Sequence, residues 1–193
     1  MYNAYFVWGN YKSMVQQEIN EFSNRLIGKT IIVTGANTGI GKETARELFK
    51  HGARVIMACR NEQETLKLIE EFTKLYSQST SGQLVYKHLD LTSFESIKIF
   101  ADQIKQEETQ VHTLINNAAI FGAPFDMTSD GYEVNMQVNH LAPVLLTILL
   151  LPKLQMAKSN DSITNKVINV SSTLYRGGKV DYQLLDKMSV LFS

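Results

Sequence analysis

Apolar and polar residues follow one another along the chain in two alternating patterns. Short, nearly continuous apolar runs predict strands, which fall at residues 30–34, 54–58, 84–88, 112–115 and 166–170. Between these runs, apolar residues recur every three or four positions, which predicts helices that begin near residues 39, 62, 94 and 132. Strands that are apolar throughout are typical of parallel sheets covered on both faces. We therefore expect an α/β fold with a doubly wound, Rossmann-like parallel sheet.

Residues 1–27 precede this alternation and form a segment of their own. Their larger apolar side chains recur at helical spacing, namely Tyr5, Trp8, Val15, Ile19 and Phe22. We therefore expect a helical arm over 1–27 and one domain over 28–193. The arm either docks on the domain or lies on a membrane surface. Membrane-surface helices usually carry a basic polar face, whereas Lys12 is opposed here by Glu18 and Glu21, so we favour docking.

Composition narrows the classes of partner and the cellular compartment. The 193 residues are 44% hydrophobic and 20% charged with zero net charge, so no feature indicates a nucleic-acid partner. Cys59 is the single cysteine, which excludes an internal disulfide and fits a reducing, cytoplasmic compartment. The longest apolar run, Leu141–Leu151, is far shorter than the roughly 20 residues of a spanning helix, so no transmembrane segment is predicted. Contact of the arm with an intracellular membrane is the alternative to docking on the domain. The four histidines show no ligand spacing, and we predict no metal site.

A glycine-rich turn links the first predicted strand to the first predicted helix. Its sequence is Thr34-Gly35-Ala36-Asn37-Thr38-Gly39-Ile40-Gly41. Glycines let a turn tighten and let backbone N–H groups approach a phosphate, and the N-terminus of the following helix favours negative charge. Glycine turns between strands and helices are common, but this context favours a nucleotide-binding loop.

Three further motifs follow the later strands in order. Asn116-Asn117-Ala118-Ala119 follows the fourth strand, Asn139 lies in Val138-Asn139-His140, and Asn169-Val170-Ser171-Ser172 follows the fifth. Together with Thr34–Gly41 they resemble the motifs of the short-chain dehydrogenase/reductase family, over about residues 28–185. The residues in and around these motifs are similar to those of the retinol-dehydrogenase and WW-domain-oxidoreductase branch. The resemblance implies an NAD(P)-binding Rossmann domain and hydride transfer to or from a small carbonyl or alcohol substrate, including retinoid-like or steroid-like compounds.

The resemblance also implies which residues bind the cofactor. They are Thr34, Gly35, Asn37, Thr38, Gly39, Ile40, Gly41, Arg60, Asp90, Leu91, Asn117, Ala118 and Ala119. The second strand ends in Arg60 without a carboxylate, which favours NADP over NAD because arginine can pair with a 2′-phosphate; alternatively, Arg60 is simply solvated. Asp90 corresponds to the residue that bonds the adenine amino group, although a helix-capping aspartate would look the same. Asn116 is expected to hold the central strand to the glycine loop, and Ala119 replaces a family glycine.

The catalytic residues implied by the resemblance are Ser172, which steadies the carbonyl oxygen, and Asn139. The family also uses a tyrosine with a lysine four residues later, and the match Tyr175–Lys179 starts only three residues after Ser172. Its central Gly-Gly is also poor helix interior. We therefore expect a sheet that is incomplete at its C-terminal edge and a chain that binds cofactor with little activity. Alternatives are a non-catalytic nucleotide-binding or interaction module and a partial gene product. The helix near 132–153 resembles one through which family members form homodimers.

Overall fold

The computed structural model of the chain describes residues 26–76, 78–122, 124–156 and 165–172. The predicted arm therefore lies outside the described residues except for its last two positions, and so does the match at Tyr175–Lys179. The division of the chain at residue 28 stays a prediction.

Strands and helices alternate as the hydrophobic pattern predicts. The elements in chain order are β1 (Thr30–Thr34), α1 (Gly39–Lys50), β2 (Arg54–Cys59), α2 (Glu62–Tyr76), β3 (Gln83–His88), α3 (Phe94–Glu107), β4 (Thr113–Asn116), α4 (Val134–Met156) and β5 (Lys166–Asn169). The helix starts have local causes. Ser93 caps α3 by accepting a hydrogen bond from the Ser96 N–H, and the Glu133 carboxylate accepts from the Asn135 and Met136 N–H groups at the start of α4.

The five strands form one parallel sheet in the order β3-β2-β1-β4-β5. Register pairs such as Ile32 with Ile56 and Ile32 with Leu114 align the strands so that their carboxyl ends meet at one edge. The chain passes to opposite sides of β1, so the switch point of the sheet lies between β1 and β4, where ligands bind in folds of this kind. The predicted doubly wound sheet is confirmed.

Alternate side chains of the strands supply two separate cores. On one face, Ile32 and Leu114 pack among residues of α3 and α4, including Phe100 and Leu146. On the other face, the side chains pack among residues of α1 and α2, which include Ala45, Phe49, Leu68 and Phe72. Successive side chains of a strand point to opposite faces of the sheet. One continuous apolar run therefore contributes to both cores.

The fourth and fifth strands differ from the expectations in detail. The β4 strand begins at Thr113, one residue later than expected. The Nδ1 atom of the preceding His112 accepts a hydrogen bond from the Thr30 N–H at 3.0 Å. The β5 strand is exposed, as expected for a sheet that is incomplete at its C-terminal edge, and Val167 and Ile168 retain 38% and 42% of their accessible surface. Among the described residues β5 pairs with β4 on one side only.

The α4 helix is continuous but contains one π-helical turn at Gln137–Leu141. The Ala142 N–H donates to the Gln137 carbonyl five residues earlier, and Pro143 follows without an N–H to donate. This helix has 23 residues and a mean hydropathy of 1.5 over its most apolar window, so it is long and apolar enough to cross a membrane by those two criteria alone. Within the domain, its buried residues Leu146 and Leu150 belong to the core against α3.

Candidate functional site

The glycine loop at the end of β1 is held in a shape that other residues would not adopt. Gly35 and Gly39 have φ angles of +64° and +53°, in the left-handed region that favours glycine. Gly41 is needed for space instead. A Cβ atom there would lie less than 3.0 Å from the Gly35 carbonyl oxygen and from the Asn117 side chain. Gly35 and Gly39 are therefore needed for their positive φ angles, and Gly41 for the close approach of its neighbours.

The first turn of α1 has the features of an anion-binding helix N-terminus. Its N-cap residue, Thr38, makes no side-chain capping hydrogen bond, and no acidic residue lies in the first turn. The backbone N–H groups of Gly39, Ile40 and Gly41 precede the first intrahelical donor, Lys42, so they are left for another acceptor. Such N–H groups, together with the helix dipole, favour phosphate.

Thr34 and Asn117 tie the glycine loop to the segment that follows β4. The Thr34 hydroxyl oxygen accepts hydrogen bonds from the N–H groups of Asn117 at 3.0 Å and Ala118 at 2.9 Å. The Asn117 amide donates to the carbonyl oxygens of Thr34 at 2.9 Å and Gly35 at 3.3 Å. The backbone of the loop is therefore fixed before any ligand arrives.

The expectation that Asn116 holds the glycine loop is wrong, because Asn117 makes those bonds. Asn116 is the last residue of β4, and successive residues of a strand point to opposite faces. Its amide donates to Asn169 at 2.9 Å and to the Thr147 hydroxyl at 3.3 Å. Asn116 thus joins β4 to β5 and α4.

A cleft of about 410 Å³ opens along the carboxyl edge of the sheet, beside the glycine loop. Its lining residues come from the ends of β1, β2 and β4, the segment after β3, and the starts of α2 and α4: Thr34, Gly35, Asn37, Ala58, Cys59, Arg60, Asn61, Glu64, Leu89, Asp90, Leu91, Thr92, Ala118, Ala119, Ile120 and Val138. The volume is in the usual range for small-molecule sites.

Most of the sequence-predicted cofactor residues line this cleft. Those that do not line it are Thr38, Gly39, Ile40, Gly41 and Asn117, and they belong to the helix start or hold the loop. Sequence reasoning missed three polar residues of the lining, Asn61, Glu64 and Thr92. Their proximity to the ends of β2 and β3 was the available indication, since residues that follow a strand end reach the same edge of the sheet.

Arg60 and Asp90 both line the cleft but differ in their contacts with other residues. Arg60 is exposed and forms no ion pair with any residue that the structure describes. One oxygen of the Asp90 carboxylate accepts from the backbone N–H and the hydroxyl of Thr92, at 2.9 and 2.7 Å. Asp90 therefore shapes the turn before α3 and still presents a carboxylate to the cleft.

Cys59 is buried in the wall of the cleft. Burial raises the pKa of its thiol, against the opposing effects of hydrogen bonds involving Thr65 and the backbone of Ala36 and Asn37. The thiol is thus held protonated at neutral pH and is a poor nucleophile. It acts as a small apolar wall residue.

Asn139 lies in the π turn of α4 and grips the segment after β4. Its amide oxygen accepts from the Ile120 N–H at 2.9 Å, and its amide nitrogen donates to the Ile120 carbonyl at 2.9 Å. Ile120 itself lines the cleft, so Asn139 fixes part of the wall. Ser172 follows β5, which pairs in parallel with β4, and therefore emerges at the same edge of the sheet.

The described part of the chain contains no group of three His, Cys, Asp or Glu residues placed to hold a metal ion. The polar groups gathered in the cleft are instead backbone N–H groups, one free guanidinium and carboxylates. This donor set suits a phosphorylated organic molecule better than a cation.

Several known proteins are similar to this chain in sequence. The short chain dehydrogenase family profile matches residues 29–182. Human retinol dehydrogenase 12 is 43% identical over 158 residues, which are 82% of this chain and 48% of that protein. Human retinol dehydrogenase 11 is 40% identical over 176 residues, which are 90% of this chain and 52% of that protein. The chain thus spans about half the length of these curated relatives.

Two solved structures share the fold and were determined with cofactor. A metagenomic short-chain oxidoreductase in complex with NADP is 30% identical, with a TM-score of 0.63 over 76% of this chain and 63% of that one. A short chain dehydrogenase from Escherichia coli CFT073 complexed with NADPH is 25% identical, with a TM-score of 0.66 over 86% and 68%. From its motifs, sheet order and profile match, the chain belongs to the short chain dehydrogenase family and is similar to its retinol dehydrogenases.

Proposed function

We propose that this chain is the cofactor-binding part of an oxidoreductase that uses NADP(H). Members of its family use NAD or NADP and act on small molecules. The observation that carries the choice of NADP is Arg60, a cation without an ionic partner among the described residues, in the same cleft as the glycine loop. The solved relatives that contain NADP or NADPH support the same choice.

The residues of the cleft fit such a cofactor from end to end. The open N–H groups at the start of α1 would bind the diphosphate. The Arg60 guanidinium would pair with the 2′-phosphate through charge-assisted hydrogen bonds. Asp90 and Leu91 would border the adenine, and Ala118 and Ala119 would contact the cofactor beyond the diphosphate. Ala119 carries only one methyl group more than glycine and has no positive φ, so close approach is retained.

For the reaction, we propose hydride transfer between NADP(H) and a carbonyl or alcohol. The nicotinamide of the bound cofactor supplies or takes up the hydride. The Ser172 hydroxyl would donate a hydrogen bond to the substrate oxygen and so steady it. Asn139 would act by holding Ile120 in the wall of the cleft. The relatives named retinol dehydrogenases support an apolar, retinoid-like or steroid-like substrate.

We further propose that the 193 residues bind cofactor without appreciable turnover. The general acid in this reaction is a tyrosine, and a nearby lysine lowers the pKa of that tyrosine. Tyr175 and Lys179 follow Ser172 too closely and have Gly177 and Gly178 between them. This proposal concerns only these residues and not a longer chain that contains them.

Calorimetric titration of the purified chain with NADPH, followed by a carbonyl-reduction assay, tests both statements. We expect saturable one-to-one binding and no consumption of NADPH. Absence of binding would overturn the choice of cofactor. Robust reduction that is abolished in Ser172→Ala would overturn the proposal of little turnover.

A second candidate is a nucleotide-binding interaction module. The exposure of apolar side chains on β5 supports it, because an apolar strand edge is a surface on which another chain can pair. Cofactor binding without turnover, together with a stable complex that covers β5, is the result expected for this candidate. We also propose a homodimer through α4, and the exposed Val144 and Ile148 on that helix support it. Cytoplasmic location, with or without membrane contact, stays a prediction.

A further inference from the structure

Glu64, in the first turn of α2, lies in the same cleft as Arg60. Two hydrogen bonds determine its place. Its carboxylate oxygen Oε2 accepts from the Asn37 side-chain amide at 3.1 Å, and its backbone N–H donates to the Asn61 side chain at 3.2 Å. The first of these bonds joins α2 to the glycine loop. A carboxylate is therefore positioned beside the loop that we propose for the phosphates.

Glu64 and Arg60 are four residues apart, yet they do not form an ion pair. Neither residue appears in any ion pair among the described parts of the chain. Asn37 holds the Glu64 carboxylate toward the glycine loop, which leaves the Arg60 guanidinium without a neutralising partner. One corner of the cleft thus presents a positive and a negative group to the same ligand.

We infer that Glu64 is a specificity-determining residue that limits the preference of the cleft for a ribose 2′-phosphate over a ribose 2′-hydroxyl. This inference rests on the proposed use of NADP. Arg60 attracts the 2′-phosphate. The Glu64 carboxylate repels the charged 2′-phosphate and does not repel a neutral 2′-hydroxyl. The pair therefore gives NAD a measurable affinity at a site that favours NADP.

The size of the effect follows from the charges. Two unit charges about 7 Å apart in water-like surroundings change binding by about threefold. A phosphate monoester carries nearly two negative charges at neutral pH. Neutralising Glu64 should therefore raise the affinity for NADP relative to NAD by about three- to tenfold, and salt should reduce the difference.

The test is calorimetric titration of the full 193-residue chain with NADP⁺ and with NAD⁺ at low and at physiological salt. Glu64→Gln removes the charge and keeps an amide oxygen that can accept from Asn37. Glu62→Gln is the matched control, because it removes the same charge from the same helix outside the cleft lining. The quantity compared is the ratio of the two association constants.

We expect the ratio of NADP to NAD affinity to rise about three- to tenfold in Glu64→Gln and by less than twofold in Glu62→Gln. An unchanged or lower ratio in Glu64→Gln, with NADP still bound by the unsubstituted chain, would overturn the inference and leave the proposed function standing. Equal rises in both variants would also overturn it, since the effect would then be that of net charge. Failure of the unsubstituted chain to bind either nucleotide would overturn both.

Discussion

The close packing at Gly41 gives the sharpest test of how the cleft is built. Replacing Gly41 with alanine puts a Cβ atom less than 3.0 Å from the backbone oxygen of Gly35 and from the Asn117 amide. The first atom belongs to the backbone, and the second ends a side chain that hydrogen bonds hold in place. The Asn117 amide makes two hydrogen bonds to the loop, at 2.9 and 3.3 Å, and we expect both to be lost or stretched.

The magnitude follows from these two effects. Overpacking of a tight site destabilises by about 1–3 kcal/mol, and each hydrogen bond contributes about 0.5–1.5 kcal/mol. Gly41→Ala should therefore lower the free energy of unfolding by about 2–6 kcal/mol. It should also weaken NADPH binding, since the N–H groups at the start of α1 are displaced. Urea unfolding followed by circular dichroism, with NADPH calorimetry, measures both changes.

Gly122→Ala is the matched control for this substitution. Gly122, unlike Gly41, is not needed for space, because nothing lies within 4 Å of an added Cβ atom, but its φ is +69°. We expect only the conformational penalty of about 1–2 kcal/mol and unchanged NADPH affinity. If Gly41→Ala unfolds within about 0.5 kcal/mol of the unsubstituted chain and binds NADPH equally well, the close-packing account is refuted.

Three further predictions follow from charges and buried groups. Arg60→Gln should weaken NADP binding by about five- to twentyfold and leave NAD binding nearly unchanged in calorimetry; equal losses for both would contradict the 2′-phosphate assignment. Burial, followed by the charge of Lys29, lowers the pKa of His112. The unfolded chain therefore binds a proton first as pH falls below about 6.5, and stability is lost over that range. In His112→Asn, which keeps an acceptor for the N–H at the start of β1, this part of the pH dependence should disappear from urea midpoints; an unchanged profile would refute it. Glu108→Gln should destabilise by about 1–2 kcal/mol, because its carboxylate, 7% exposed, loses the ionic hydrogen bonds from Arg54 at 2.7–3.2 Å; a change in urea midpoint below about 0.3 kcal/mol would count against it.

The sheet could be predicted from the sequence because its signal is local. Apolar runs and helical spacing marked every described element, and the bounds of β1 and the start of α2 agree with the expected 30–34 and 62. The exposure of β5 agrees with the expected incomplete C-terminal edge of the sheet, although an apolar strand by itself looks the same whether or not another element covers it. The α4 helix, at Val134–Met156, agrees with the helix expected near 132–153.

The glycine loop of the candidate site could be predicted from the spacing of its glycines. The residues whose role depends on the direction of the side chain were harder to predict. Nothing in the sequence Asn116-Asn117 shows which side chain faces the glycine loop; the register of β4 decides that, and it selects Asn117. Glu64 was missed for a similar reason. It belongs to a charged helix, and only its hydrogen bond to Asn37 shows that it faces the cleft.

The central claim is that NADP(H) binds along the carboxyl edge of the sheet, from the glycine loop to the segment after β4. A titration of the ¹⁵N-labelled chain with NADP⁺, followed by heteronuclear NMR, tests it most directly. We predict saturable shifts of backbone amide signals at Gly35, Asn37, Gly39 and Ala118, with little change on the far edge of the sheet. Shifts confined to other surfaces, or none at saturating NADP⁺ and NAD⁺, would contradict the account.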